Sequence, residues 1–203
     1  MRKDELKLKK EDFYPPLGLV VVMWFIFGLQ YLGLFQHCYG VIPWRIKGIK
    51  GIFLSPLFHG SLDHIMSNTL PLFILSVILF LFYKRQAYTV LIFGWILSGV
   101  ILWLFPDIGY FQTSLNSCHI GASGLIYMLA FFLFFSGIFL RQVVLILVSI
   151  IIAILYGSLV YGVFPHLVAD GVSWQGHLIG AVVGLLFAYQ LNRKKRTARR
   201  SRR

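Results

Sequence analysis

The chain has 203 residues, 58% of them hydrophobic, and a mean hydropathy of +0.78. Apolarity of that order, in repeated runs near the ~20 residues needed to cross a bilayer, excludes an ordinary soluble domain and predicts one polytopic helical bundle. The formal net charge of +12 does not argue for a nucleic-acid partner, because the cations gather in the two tails and in short turns between spans.

Residues 1–16 form a basic leader in which Arg2, Lys3, Lys7, Lys9 and Lys10 alternate with Asp4, Glu5, Glu11 and Asp12. Pro15-Pro16 then lead into a full-length span rather than the short apolar core of a cleavable signal, so none is expected. A first span is expected over 17–35. The loop 37–58, with Pro43, Trp44, Arg45, Lys47, Lys50 and Pro56, is long for a simple connection and predicts a structured interfacial element.

The second span is expected over 59–82 and holds His64, Asn68 and Pro71. Pro71 cannot donate to the Ser67 carbonyl, which predicts a kink beyond Asn68. A turn at 83–86 leads to a third span, 87–105, and an outer loop, 106–118. The fourth span, 120–140, the turn Arg141-Gln142, the fifth span, 143–161, the loop 162–174 and the sixth span, 175–191, complete a core of 17–191. Residues 192–203 are a basic tail. No internal repeat is evident.

Sixteen of the nineteen Lys and Arg residues fall in the leader, the turns 83–86 and 141–142, and the tail. The positive-inside bias therefore puts both termini in the cytoplasm and leaves the loops carrying Arg45, Lys47 and Lys50 outside. Cys38 and Cys118 both lie in outer loops, where a disulfide is open to them if that side is oxidising.

Spans two, four and six then start at the outer face and run inward. Ser123, His177, His64 and Asn68 sit at similar depths, about 5–14 Å below that surface at 1.5 Å per residue. Polar groups at such depth are costly and face a bundle interior or a wet cavity. A serine needs an adjacent base to act as a nucleophile, and His177 matches Ser123 in depth. Gly180 and Gly184, three and seven residues beyond His177, form a stripe that lets span six press on the start of span four, where Gly121 and Gly124 flank Ser123.

Tyr127, one turn beyond Ser123, can lie on the imidazole, and no carboxylate is well placed for that task, so a Ser–His dyad is expected. The backbone N–H of Ser123, at a helix start, and the side chains of His64 and Asn68 are candidate oxyanion donors. His59, His119 and His166 read as interfacial or loop histidines. Without an H-E-x-x-H pattern, and with His59 and His64 on different helical faces, no metal is expected.

The segments His59-Gly60-Ser61-Leu62-Asp63-His64-Ile65-Met66-Ser67-Asn68, Gly121-Ala122-Ser123-Gly124 and His177-Leu178-Ile179-Gly180-Ala181-Val182-Val183-Gly184 together resemble the signatures of rhomboid intramembrane serine proteases, in the family's order. The resemblance implies an all-α membrane protein with a six-transmembrane-helix rhomboid bundle. It implies Ser123 as nucleophile, His177 as general base, His64, Asn68 and the Ser123 backbone as the oxyanion site, and Tyr127 stacked on His177. It further implies single-span membrane proteins as substrates, a bilayer location such as the bacterial inner membrane, no cofactor, and a gate formed by span five with the loop 162–174.

Two features depart from the family pattern. Trp44-Arg45 lies fifteen residues before His59, further than in many rhomboids, and Gly176 stands where alanine is common. The rival expectation is a non-catalytic binder or chaperone of the same fold, whose buried polar cluster holds a membrane protein without cutting it. That reading gives no reason for a serine at the histidine's depth.

Overall fold

The computed structural model describes residues 9–105, 117–169 and 171–200, with side chains as far as residue 193. Residues 1–8 of the leader, 106–116 of the second outer loop, and 201–203 of the tail lie outside the described residues, as does Asp170. Everything described is helix, turn or loop, apart from one isolated backbone bridge between Val41 and His119.

Helix α1 (Tyr14–Tyr31) begins with Pro15 and Pro16, whose missing N–H groups cost nothing in a first turn. Gly33, at φ 77°, marks the end of its helical run, short of the expected residue 35. Helix α2 (Leu62–Phe82) starts three residues later than expected because Ser61 caps it, its hydroxyl accepting the His64 N–H at 3.1 Å. The helix runs through Pro71 without interruption.

A single residue, Tyr83, separates α2 from α3 (Lys84–Leu104), which includes a π-helical stretch at Thr89–Phe93. Helix α4 (Ser123–Leu140) begins after Gly121, whose φ of 105° is closed to a right-handed helix and delays the start from the expected residue 120. Helix α5 (Val143–Val163) tightens to 3-10 geometry from Gly157. Helix α6 (Trp174–Arg200) runs into the basic tail.

Among the described residues, five helices are long and apolar enough to cross a membrane: α1 to α5. In α6 the apolar stretch is shorter, bounded by Gln175 and His177 at one end and Asn192 and Arg193 at the other. Helix α4 is the axis of the bundle, and its Met128, Leu129, Phe132 and Leu133 are wholly buried. The outer helices turn large apolar side chains outward, among them Phe25, Leu70, Phe93, Val143 and Ile154. A surface of that kind suits lipid rather than water, which makes this an integral multi-pass membrane protein.

Between apolar helices in lipid, burial alone gives little drive, so small residues and buried hydrogen bonds decide which helices touch. A Cβ on Gly180 would run into the Gly124 carbonyl oxygen, and one on Gly184 into that of Met128. The α4–α6 contact is therefore backbone against backbone. Deeper along the same seam, buried Asn192 donates to the Ser136 hydroxyl at 2.9 Å. On the far side of α4, the Ser149 hydroxyl of α5 lies 2.8 Å from the Phe134 carbonyl, against Gly137.

The loop after α1 is structured, as its length predicted, with helical turns at Ile46–Gly48, Gly51–Leu54 and Ser55–Leu57. The indole of Trp44 donates to the Leu104 carbonyl at 2.6 Å and that of Trp103 to the Arg45 carbonyl at 2.9 Å. The Trp44-Arg45 pair thus docks the loop on the end of α3. Cys38 and Cys118 form a disulfide, which ties this loop to the segment leading into α4. Beside it, Val41 and His119 exchange two backbone hydrogen bonds of 2.9 Å.

Candidate active site

Ser123 is the first residue of α4 and His177 lies in the first turn of α6. The glycine contacts of the seam bring those two turns together, and the Ser123 hydroxyl stands 2.9 Å from Nε2 of His177. Nδ1 of the same ring lies 3.0 Å from the Gly162 carbonyl. A carbonyl can only accept, so Nδ1 carries the proton and Nε2 is left as the acceptor for the hydroxyl. The ring of Tyr127 stacks on His177 at 4.2 Å between centroids and 8° between planes. His177 is buried, 7% exposed, and its ring is held by Tyr127 on one face and by contacts at both nitrogens.

Sequence reasoning expected Tyr127 on the imidazole but did not find Gly162. A backbone carbonyl leaves no side-chain signature, and only the fold brings the end of α5 over the ring. A Cβ at Gly162 would land on the Tyr127 hydroxyl and lie 3.2 Å from Nδ1 of His177.

The segment before Ser123 is gripped from the other side. The Gly121 N–H donates to the Ser55 carbonyl at 2.8 Å, and the Ala122 N–H to Nε2 of His59 at 3.3 Å. The backbone of His59 is itself paired in both directions with the side-chain amide of Gln30, at 3.2 Å each. His59 sits in the linker ahead of α2. Burial, helped by the neighbouring His64, pushes its pKa down to about 4, so it is neutral and free to accept near pH 7. It was expected to be an interfacial or loop histidine, and from its linker it is also an acceptor for the turn that presents Ser123.

His64, expected as an oxyanion donor, lies beside the turn that precedes Ser123. A Cβ on Gly121 would come 2.5 Å from its Nε2, so the bare glycine is what lets the imidazole approach the turn that carries Ser123. Asn68 is buried, but its amide donates to the His64 carbonyl at 2.6 Å and its Oδ1 has no partner. One N–H of Asn68 is therefore used within its own helix. The Ser123 N–H, at the first helical position, is among those that the helix itself leaves without an acceptor.

A cleft opens beside Ser123, walled by Ser98 and Leu102 of α3 and by Ser55, His119, Gly124 and Ser173. Trp95 Nε1 and Ser98 Oγ, which also face this cleft region, are buried without a hydrogen-bond partner in the protein. Among the described residues no three His, Cys, Asp or Glu side chains converge as metal ligands would.

A helical bundle with five membrane-length helices and a serine–histidine pair where two helices begin defines an integral membrane protein with a site recessed among its helices. Residues 43–194 match the family model of the Rhomboid domain, and the chain belongs to the rhomboid family. An uncharacterized protein of Mycobacterium tuberculosis (strain ATCC 25618 / H37Rv) is 37% identical over 165 residues, covering 79% of this chain and 66% of that protein. An uncharacterized protein of Mycobacterium bovis matches to the same extent, and one of Mycobacterium leprae is 35% identical over 150 residues, 73% of this chain and 59% of its own length. The matched part thus spans less than two thirds of these relatives.

Proposed function

We propose that this protein is an intramembrane serine endopeptidase that cuts single-span membrane proteins near the outer face of a bacterial inner membrane. In this reading six helices cross the bilayer, α6 included, with both termini in the cytoplasm. The observation that carries it is the 2.9 Å approach of Ser123 Oγ to Nε2 of His177, with Nδ1 on a carbonyl.

The chemistry follows from that tautomer. Ser123 Oγ attacks the scissile carbonyl carbon while its proton passes to Nε2 of His177. The resulting oxyanion is received by the Ser123 N–H with donors from α2, His64 and Asn68. The imidazolium then gives its proton to the leaving amine, and the C–N bond breaks to leave an acyl-enzyme. Water, deprotonated by the same Nε2, hydrolyses the ester and returns the proton to Ser123. No metal or other cofactor enters these steps. The cleft beside Ser123 gives water and the substrate's backbone a route to the nucleophile.

The non-catalytic binder of the same fold has no use for a hydroxyl held on a basic imidazole nitrogen. A fluorophosphonate probe on detergent-solubilised protein tests the choice. Covalent labelling should be absent in Ser123→Ala and slowed at least ~1,000-fold in His177→Ala. Processing of a single-span substrate by the Ser123→Ala protein at the wild-type rate would sink the protease reading.

A further inference from the structure

The two segments that carry Ser123 and His177 are joined a second time, one step outside the reacting pair. His119 lies four residues before Ser123 and Ser173 four before His177. Their side chains meet, Nδ1 of His119 standing 2.6 Å from Oγ of Ser173. Both contacts therefore span the same 54 residues of sequence. Two parallel ties cross one seam.

Each end of the outer tie is itself anchored. On one side, His119 is 8% exposed, its backbone paired with Val41, directly after the Cys118 end of the disulfide. On the other, the Ser173 hydroxyl accepts the Gly176 N–H at 3.2 Å, and its carbonyl accepts the N–H of His177 itself at 3.2 Å. Ser173 thereby grips the helical turn on which the imidazole sits. The chain before it is largely exposed, with His166, Leu167, Ala169, Gly171 and Val172 all facing outward. Ser173 is where that strap returns to the bundle, and His119 is what it meets there.

We propose that His119 and Ser173 are positioning residues, whose hydrogen bond sets the distance and register of Ser123 and His177 from outside the reacting pair. The inference rests on the reading of those two as nucleophile and base. A second nucleophile at Ser173 is the weaker account, because that hydroxyl is already engaged by the Gly176 N–H as a helix cap. Catalytic geometry is sensitive at this level, since a misplacement of about 1 Å can cost ~100-fold in rate.

The test compares wild type with His119→Phe, which keeps the ring and removes Nδ1, with Ser173→Ala, with their double variant, and with His119→Asn and Ser173→Thr as conservative rescues. Each is read for probe labelling rate, for kcat and KM on a single-span substrate, and for folding by circular dichroism and gel filtration. His119→Phe and Ser173→Ala should each lose about 10- to 100-fold in kcat and labelling, with KM within about twofold. The double variant should be no worse than Ser173→Ala alone, because both changes remove the same His119–Ser173 contact and Ser173→Ala already removes the cap on the Gly176 N–H as well. The rescues should recover most of the rate.

Labelling of folded His119→Phe or Ser173→Ala at the wild-type rate would overturn this inference alone, as would losses that multiply in the double variant. If either single variant fails to fold, the other is read by the same criterion, and losses confined to KM count against the inference. A wild-type protein that never labels at Ser123 overturns the protease reading, and this inference with it.

Discussion

Nδ1 of His177 is held 3.0 Å from the carbonyl oxygen of Gly162, a contact between the start of α6 and the end of α5. In a catalytic triad the equivalent nitrogen faces a carboxylate, which both orients the ring and stabilises its charged form. Here a neutral backbone group does the orienting and an aromatic ring covers the face. The geometry makes the Ser123–His177 contact depend on where a 3-10 turn, Gly157–Val163, comes to rest.

Gly162→Ala tests that dependence. The new methyl would overlap the Tyr127 hydroxyl and crowd Nδ1 of His177. Cleavage is expected to fall about 10- to 100-fold with the fold retained, because the displacement is local. Tyr127→Phe in the same background should recover part of the loss by removing the overlapping oxygen. Full activity in Gly162→Ala, measured as kcat/KM on a single-span substrate, would mean that the carbonyl does not orient the ring.

Asn68→Ala separates catalysis from packing. If the amide reaches the oxyanion once substrate is bound, activity drops roughly 10- to 1,000-fold while thermal stability changes little. Its present bond to the His64 carbonyl offers the other outcome. A large fall in Tm with unchanged activity per folded molecule would assign Asn68 to the structure of α2.

The disulfide closes a loop of 80 residues between Cys38 and Cys118. Loop-closure entropy for a loop of that length sets an upper value of about 4.5 kcal/mol, and disulfides typically contribute about 2–4 kcal/mol. Reducing agent should therefore lower the Tm of the wild type and leave a Cys38→Ser, Cys118→Ser double variant unmoved. The labelling rate should fall in the same conditions, because Cys118 leads directly into His119 and the turn that carries Ser123.

His59 predicts an acid limb in stability. Its folded pKa of about 4 lies below the ordinary 6.5, so the unfolded chain binds the extra proton first. Stability from this group is complete above about pH 6.5 and is lost as the pH falls through the window down to about 4. Thermal unfolding in detergent from pH 7.5 to pH 4 should show a steeper loss in wild type than in His59→Gln. Parallel slopes for the two proteins would remove His59 from the account.

Much of the site could be read before any coordinates. Ser123, His177 and Tyr127 were expected together because polar groups at one depth in apolar helices have to face one another, and they do meet. The glycines at 121, 124, 180 and 184 were expected to permit close approach, and each occupies a place where a Cβ would press on a neighbour. What stayed illegible were partners that are backbone groups or have no special composition: the Gly162 carbonyl, the Gln30 amide on His59, and Ser173 on His119. Helix ends were misjudged by a few residues for a related reason. Gly121 and Ser61 set a helix start through φ and hydrogen bonding, which hydropathy along the chain does not register.

The sequence by itself determined that this is a helical membrane bundle, which family it belongs to, and which polar side chains lie at one depth within it. Helix periodicity and the cost of polar groups in lipid are local properties, and residue order alone expresses them. The tertiary structure decided how the imidazole is oriented, which loops grip the turn before Ser123, and that Cys38 finds Cys118. Those facts join positions separated by tens of residues in sequence, through contacts whose geometry exists only once the helices have packed.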